Sequence, residues 1–222
     1  MKSFRVAEDG FELVPAFVGV DERRSLVESV GDVEAAVRRN MLAIAAVAEF
    51  AHSRRLIKLV RSHTGGEPRA VRALWFNKSP EANWLVAWHQ DLAIAVRERV
   101  EAPGFGGWSV KEGVPHVQPP AEVLERMLTV RVHLDDADAE NGALRVIPGT
   151  HREGRLDAEQ IEAARRERAE AICTARAGDA LLMRPLLLHA SGRSTSERPR
   201  RVLHIEYAGW ELPHGLAWFD SF

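Results

Sequence analysis

Cysteine is nearly absent from this chain: Cys173 is the only one in 222 residues. A lone thiol excludes an intramolecular disulfide and any zinc site that needs several thiolates, and it fits a reducing compartment. An excess of one charge is lacking too, because 30 lysines and arginines stand against 32 aspartates and glutamates, for a formal charge of -2. That balance argues against nucleic acid or an anionic membrane as a partner. The basic pairs Arg23-Arg24, Arg38-Arg39 and Arg54-Arg55 lie among acidic and apolar residues and read as solvated helix faces. Long apolar runs are also missing, and the longest, around Met41 to Ala48, falls far short of the ~20 residues that span a bilayer. The first ten residues carry charges and no apolar stretch of signal-peptide length, so the expected location is the cytoplasm. There is no internal repeat, and nothing sets an oligomeric state.

A chain of this length is near the upper end for one hydrophobic core. The expectation is a single domain over 1-222, with 1-67 mainly helical and 68-222 a β-rich core. From Asp32, a candidate N-cap, Val33, Val37, Met41, Ile44 and Ala48 recur every three or four positions, which predicts a helix with one buried face. Leu56, Leu59 and Val60 predict a second, ending before Thr64-Gly65-Gly66. After Pro68 the chain turns to short runs rich in valine, leucine and tryptophan. These predict strands over 71-76, 84-88, 128-134, 143-147, 180-183 and 202-207, punctuated by turns such as Asn141-Gly142, Pro148-Gly149 and Gly178-Asp179. Many short strands so punctuated point to a sandwich, jelly roll or barrel. Asp157 with Gln160 predicts a capping box on an exposed helical insertion. The stretch 101-120, broken by glycine and proline yet carrying Phe105, Trp108, Lys111 and His116, reads as a lid.

In His89-Gln90-Asp91 the imidazole and carboxylate are two apart, so a strand presents both on one face. His189, closing the apolar run 181-188, is a candidate third ligand. Two histidines and a carboxylate form the facial triad that leaves open positions on non-haem Fe(II). A second tripeptide, His133-Leu134-Asp135, has the same spacing and also precedes His189. Spacing cannot choose between them.

The segments WHQDL, RVHLDD, NGALRVIPGTH and HASGRSTSERPRR together resemble the phytanoyl-CoA dioxygenase family of Fe(II)/2-oxoglutarate oxygenases, over roughly Asn77 to Tyr207. The resemblance implies a mainly β (α+β) fold, a double-stranded β-helix (jelly-roll or cupin-like barrel) with N-terminal helices packed on one sheet. It implies Fe(II) held by His89, Asp91 and His189, with 2-oxoglutarate and O2 as cosubstrates. It also implies that Arg200 grips the far carboxylate of 2-oxoglutarate, for which a planar guanidinium fork is suited. Along the following strand Arg200 shares a face with Val202, His204 and Glu206.

By the same resemblance Ser191 is a second contact to that carboxylate and Asn77 a cosubstrate contact. Gln90, Arg131 and Trp108 are candidate substrate contacts, with Arg131 standing where relatives often have an aromatic residue. Trp84 and Trp88, like Trp108, are read as packing residues, any of which could wall the pocket. The implied reaction is hydroxylation of an unactivated C-H bond of a small molecule. Asp91 favours this over halogenation, since related halogenases replace that carboxylate. Desaturation or ring formation stays open, as do a cupin-like metalloenzyme that does not use 2-oxoglutarate and a non-catalytic small-molecule-binding protein on the same scaffold.

Overall fold

A computed structural model describes residues 4-80 and 82-220. The largest of three antiparallel sheets has the order β1 (Phe11–Val14), β11 (Ala180–Met183), β8 (Leu128–His133), β13 (Arg200–Ala208), β3 (Arg69–Lys78), β2 (Val37–Arg38). A four-stranded sheet has the order β10 (Ala171–Ile172), β9 (Leu144–Val146), β12 (His189–Ser191), β4 (Val86–His89). A third contains β5 (Ile94–Ala95), β7 (Val114–Gln118) and β6 (Gly106–Lys111). The first two enclose a cavity, which makes the expected double-stranded β-helix.

Side-chain alternation divides the large sheet into two faces. On the outer face Ala73, Trp75, Val130, Val132, Leu203, Ile205 and Tyr207 join one core with Leu26 of α2 (Val20–Val30), Val47 of α3 (Ala45–Ala51) and Leu56 and Val60 of α4 (Arg54–Thr64). Each large apolar side chain buried there contributes roughly 1.5-3 kcal/mol. The Tyr207 hydroxyl, taken out of water, donates to the Ala51 carbonyl at 2.8 Å. On the inner face Leu74, Phe76, Arg131, Arg200 and His204 line the cavity. Short helices Val6–Asp9 and Ala121–Glu125 complete the helical elements together with an exposed one, Ala158–Glu167. That last helix opens with the expected capping box: Asp157 Oδ1 accepts from the Gln160 backbone N-H, and Gln160 Oε1 accepts from that of Asp157, both at 2.9 Å.

The helix expected from Asp32 does not form. A helix ends just before it at Gly31 (φ 70°), and the chain then runs extended, with Val37 and Arg38 paired to Phe76 and Trp75. Asn40 turns the chain in the left-handed region (φ 55°), after which a single 3-10 turn, Met41–Ala43, precedes α3. The apolar repeat was the sum of a strand and two short helical pieces. The N-terminal part therefore supplies both edge strands of the large sheet as well as helices.

The stretch expected as a lid forms an ordered hairpin. Its strands, β6 and β7, turn through Glu112 (φ 50°) and Gly113 (φ 80°), two successive positive angles of the kind that suits a two-residue hairpin. Phe105 and Val117 are buried with Leu124 and Trp218 in a second core. The described part of the C-terminal tail joins that core, and the Trp218 indole N-H donates to the Trp210 carbonyl at 2.8 Å. Among the described residues no helix is long and apolar enough to cross a membrane.

Candidate metal centre

β4 and β12 are antiparallel neighbours, and His89 and His189 are Cα partners in that ladder. Their rings lie 4.2 Å apart between centroids. Just past β4, Asp91 turns its carboxylate to the same point, with Oδ1 3.7 Å from His89 Nε2 and Oδ2 3.8 Å from His189 Nε2. All three ligand atoms lie within 4.8 Å of one another. His89 Nδ1 is 2.9 Å from the Ala87 carbonyl and His189 Nδ1 is 2.8 Å from the Leu187 carbonyl. A carbonyl only accepts, so each Nδ1 carries the proton and each Nε2 presents its lone pair.

Electrostatics keep His189 and Asp91 in their metal-binding forms. Burial lowers His189 to about 4, so the ring is neutral at physiological pH. Burial alone would raise Asp91, but His189, His204, His89 and Arg72 together outweigh it and hold the carboxyl at about 2. Two neutral imidazoles and one carboxylate on one side of a cavity fit Fe(II) and leave its other positions free.

At one end of the same cavity of about 100 Å³ stands Arg200, 2% exposed, with Nε and Nη1 unpartnered. Burial first, and then Arg131, lower it to about 9. Ser191 Oγ accepts from Lys78 Nζ at 3.0 Å and from Arg200 Nη2 at 3.4 Å while donating to the Gly142 carbonyl at 2.8 Å. The serine thus ties Lys78 and Arg200 to the Asn141-Gly142 turn. That turn needs its glycine, because a Cβ on Gly142 would stand 2.6 Å from the Gly192 carbonyl oxygen.

Lys78 was not among the sequence candidates. Fully buried, it sits opposite Arg200 in the ladder and beneath the Trp84 ring at 5.0 Å, and burial, then Arg200, lower it to about 8. The available signal was the period of two along β3, which places 72, 74, 76 and 78 on one face.

Of the remaining candidates, Arg131 and Ser191 line the cavity with the triad and Arg200, and three others are not brought to it. Asn77 faces away, its amide donating to the Val33 carbonyl at 2.5 Å, because odd-numbered positions of β3 face the helical side. Gln90 points opposite to its two neighbours. Its amide donates to the Gly154 and Leu186 carbonyls and accepts from the Leu156 N-H, which leaves nothing for a substrate. Trp108 lies on the hairpin under Arg99, 5.4 Å from the ring centroid. Trp84, read as packing, lines the cavity, whereas Trp88 packs with Ile147 and Leu156. The second H-x-D is not at the metal point: Asp135 is bound to Arg201, and His133 is buried with both ring nitrogens unpartnered.

AviO1 from Streptomyces viridochromogenes superposes with a TM-score of 0.67 at 20% identity, over 95% of this chain and 94% of that one. HygX from Streptomyces hygroscopicus, with nickel and 2-oxoglutarate bound, gives 0.63 at 18% identity, over 97% and 91%. At these identities the likeness concerns the fold. A methylphosphonate hydroxylase of Gimesia maris is 28% identical over 121 residues, 52% of this chain and 45% of that protein, so the match spans under half of the relative's length.

The double-stranded β-helix with this donor set defines a class, the 2-oxoglutarate-dependent non-haem iron oxygenases. Within it, the chain belongs to the phytanoyl-CoA dioxygenase family, whose model matches residues 8-202.

Proposed function

We propose that residues 1-222 form one catalytic domain that hydroxylates a C-H bond of a small molecule. One O2 and one 2-oxoglutarate would be consumed, and the products would be the alcohol, succinate and CO2. One juxtaposition carries this reading: three metal-donor atoms within 4.8 Å of one another share a cavity with a buried guanidinium whose Nε and Nη1 lack partners. His89, Asp91 and His189 would hold the iron, which when bound couples O2 activation to decarboxylation of the keto acid.

The other residues bind, orient and exclude water. Arg200 has N-H groups free of protein partners to offer the distal carboxylate of 2-oxoglutarate, a charge-assisted pairing strengthened by burial. Ser191 holds that guanidinium from behind, its hydroxyl accepting from Arg200 Nη2 and from Lys78. A direct bond from Ser191 to the carboxylate requires its hydroxyl to leave the Gly142 carbonyl. Leu74, Phe76, Val86 and Leu144 form apolar walls against which a C-H bond can rest without water.

The family, the fold and the methylphosphonate hydroxylase relative support an oxygenase over a cupin-like enzyme without a keto acid, which has no use for a dedicated carboxylate anchor. The deciding experiment is succinate release on addition of Fe(II), 2-oxoglutarate and O2. Absence of succinate from iron-loaded, folded protein across a substrate panel would sink the proposal.

A further inference from the structure

A second guanidinium in the cavity has no counterpart in the scheme above. Arg131, on the inner face of β8, is 6% exposed, and no carboxylate pairs with it among the described residues. Its Nη1 donates to His204 Nδ1 at 2.9 Å, and its Nε has no partner. The Phe76 ring centroid lies 5.2 Å from the guanidinium carbon. The acid nearest along this chain of contacts is Glu206, which accepts from His204 Nε2 at 3.3 Å. Glu206 is already neutralised by Arg72 at 2.6 Å. Asp91, the carboxylate that lines the cavity among the described residues, favours the charged guanidinium through space but is committed to the triad.

Burying an uncompensated guanidinium is strongly unfavourable, so its retention calls for an anion in the working state. The cosubstrate does not meet this need on the proposed reading. One carboxylate of 2-oxoglutarate lies at the metal and the other at Arg200. Arg131 is left over, beside the apolar walls where a carbon skeleton would lie.

We propose that Arg131 recognises an oxyanion on the substrate, and therefore that the substrate is a small anion, a short carbon skeleton bearing a carboxylate, phosphonate or sulfonate. A planar fork with a free Nε-H and a π face already covered by Phe76 is prepared for in-plane oxygen acceptors. The neutral His204 behind it fixes the plane of the fork by accepting from Nη1. This assignment rests on the oxygenase reading and makes it more specific, since it names the charge and size of what is oxidised.

The test uses the full chain loaded anaerobically with Fe(II) and 2-oxoglutarate. Formation of the visible charge-transfer band on adding 2-oxoglutarate reports the cosubstrate alone; if the wild type gives no band, the oxygenase reading fails before the substrate question arises. Propionate, methylphosphonate and methanesulfonate are then titrated by calorimetry against the neutral propionamide and methanesulfonamide. At least one anion is expected to bind about tenfold or more tightly than its neutral analogue. Arg131→Met is expected to abolish that preference while shifting the 2-oxoglutarate Kd by less than about threefold.

Arg131→Lys, which keeps the charge without the fork, is expected to retain part of the preference. Thermal melts accompany each variant. A merely structural arginine would lose stability and both ligands together in Arg131→Met. Equal weakening of 2-oxoglutarate and anion, equal binding of neutral and anionic probes, or no binding of any anion to the wild type would each overturn the proposal.

Discussion

Asp135 is gripped by Arg201 through two parallel bonds of 2.8 Å, Nε to Oδ2 and Nη2 to Oδ1, and Oδ2 also accepts from the Arg201 backbone N-H. With its acceptors directed to that guanidinium, it is not free to join a metal. His89→Ala should therefore lose stoichiometric Fe(II) binding in an anaerobic titration, while folded His133→Ala keeps it within about threefold. Loss of iron only in the His133 variant would reverse the ligand assignment.

Arg200→Met should weaken 2-oxoglutarate by about 2-5 kcal/mol, roughly 30-fold or more, because it removes the charged partner of a buried carboxylate. Ser191→Ala should lose only about 1 kcal/mol, since its donor is engaged by the Gly142 carbonyl. Equilibrium dialysis with labelled 2-oxoglutarate measures both. Equal losses in the two variants would contradict the role given to Ser191.

Gln90→Leu should destabilise the fold without removing iron from the protein that remains folded. It leaves three backbone groups, at Gly154, Leu156 and Leu186, without partners, which at roughly 1-3 kcal/mol each amounts to about 3 kcal/mol or more. Urea unfolding reads the stability and metal analysis the iron. A stable variant with altered substrate preference would restore Gln90 as a substrate contact.

Acid should weaken the metal-free protein well above the range where carboxylates titrate. Burial lowers His189 to about 4, and burial with Arg131 and Arg200 lowers His133 to about 3, whereas an unfolded histidine titrates near 6.5. In that window the unfolded chain binds more protons than the folded one. Stability is therefore complete above about 6.5 and falls as the pH drops towards 4, by up to about 1.4 kcal/mol per unit for each histidine. Urea midpoints across this range check the slope, and His133→Leu should remove one histidine's share of it.

Local signals carried the parts of the fold that close on themselves. The run Ala180–Met183, bounded by Gly178-Asp179 and Pro185, is a strand over just those residues, and the Asp157-Gln160 box starts a helix where expected. β1 and β2 were missed because they are short edge strands whose partners lie far along the chain: Phe11 pairs with Met183 and Val37 with Phe76. The hairpin within 101-120 was not foreseen because Glu112-Gly113 is a weak turn signal beside Asn-Gly or Asp-Gly. At the site, the choice between two H-x-D tripeptides came from family resemblance, and Arg201 supplies its physical reason. For Lys78 the period of two along β3 could give the face, but only the pairing of β3 with β13 brings it to Arg200. Asn77 erred by one position on that strand, which turns a side chain to the opposite face.

The ladder pairing of His89 with His189 gives the two imidazoles a spacing that is independent of the long segment joining them. Hairpin, insertion helix and connecting loops can change in length while the donor atoms stay in place. A single-residue deletion inside β4 or β12, by contrast, would slide one ring away from the other. Diversification of what is oxidised is thereby uncoupled from preservation of where the iron sits.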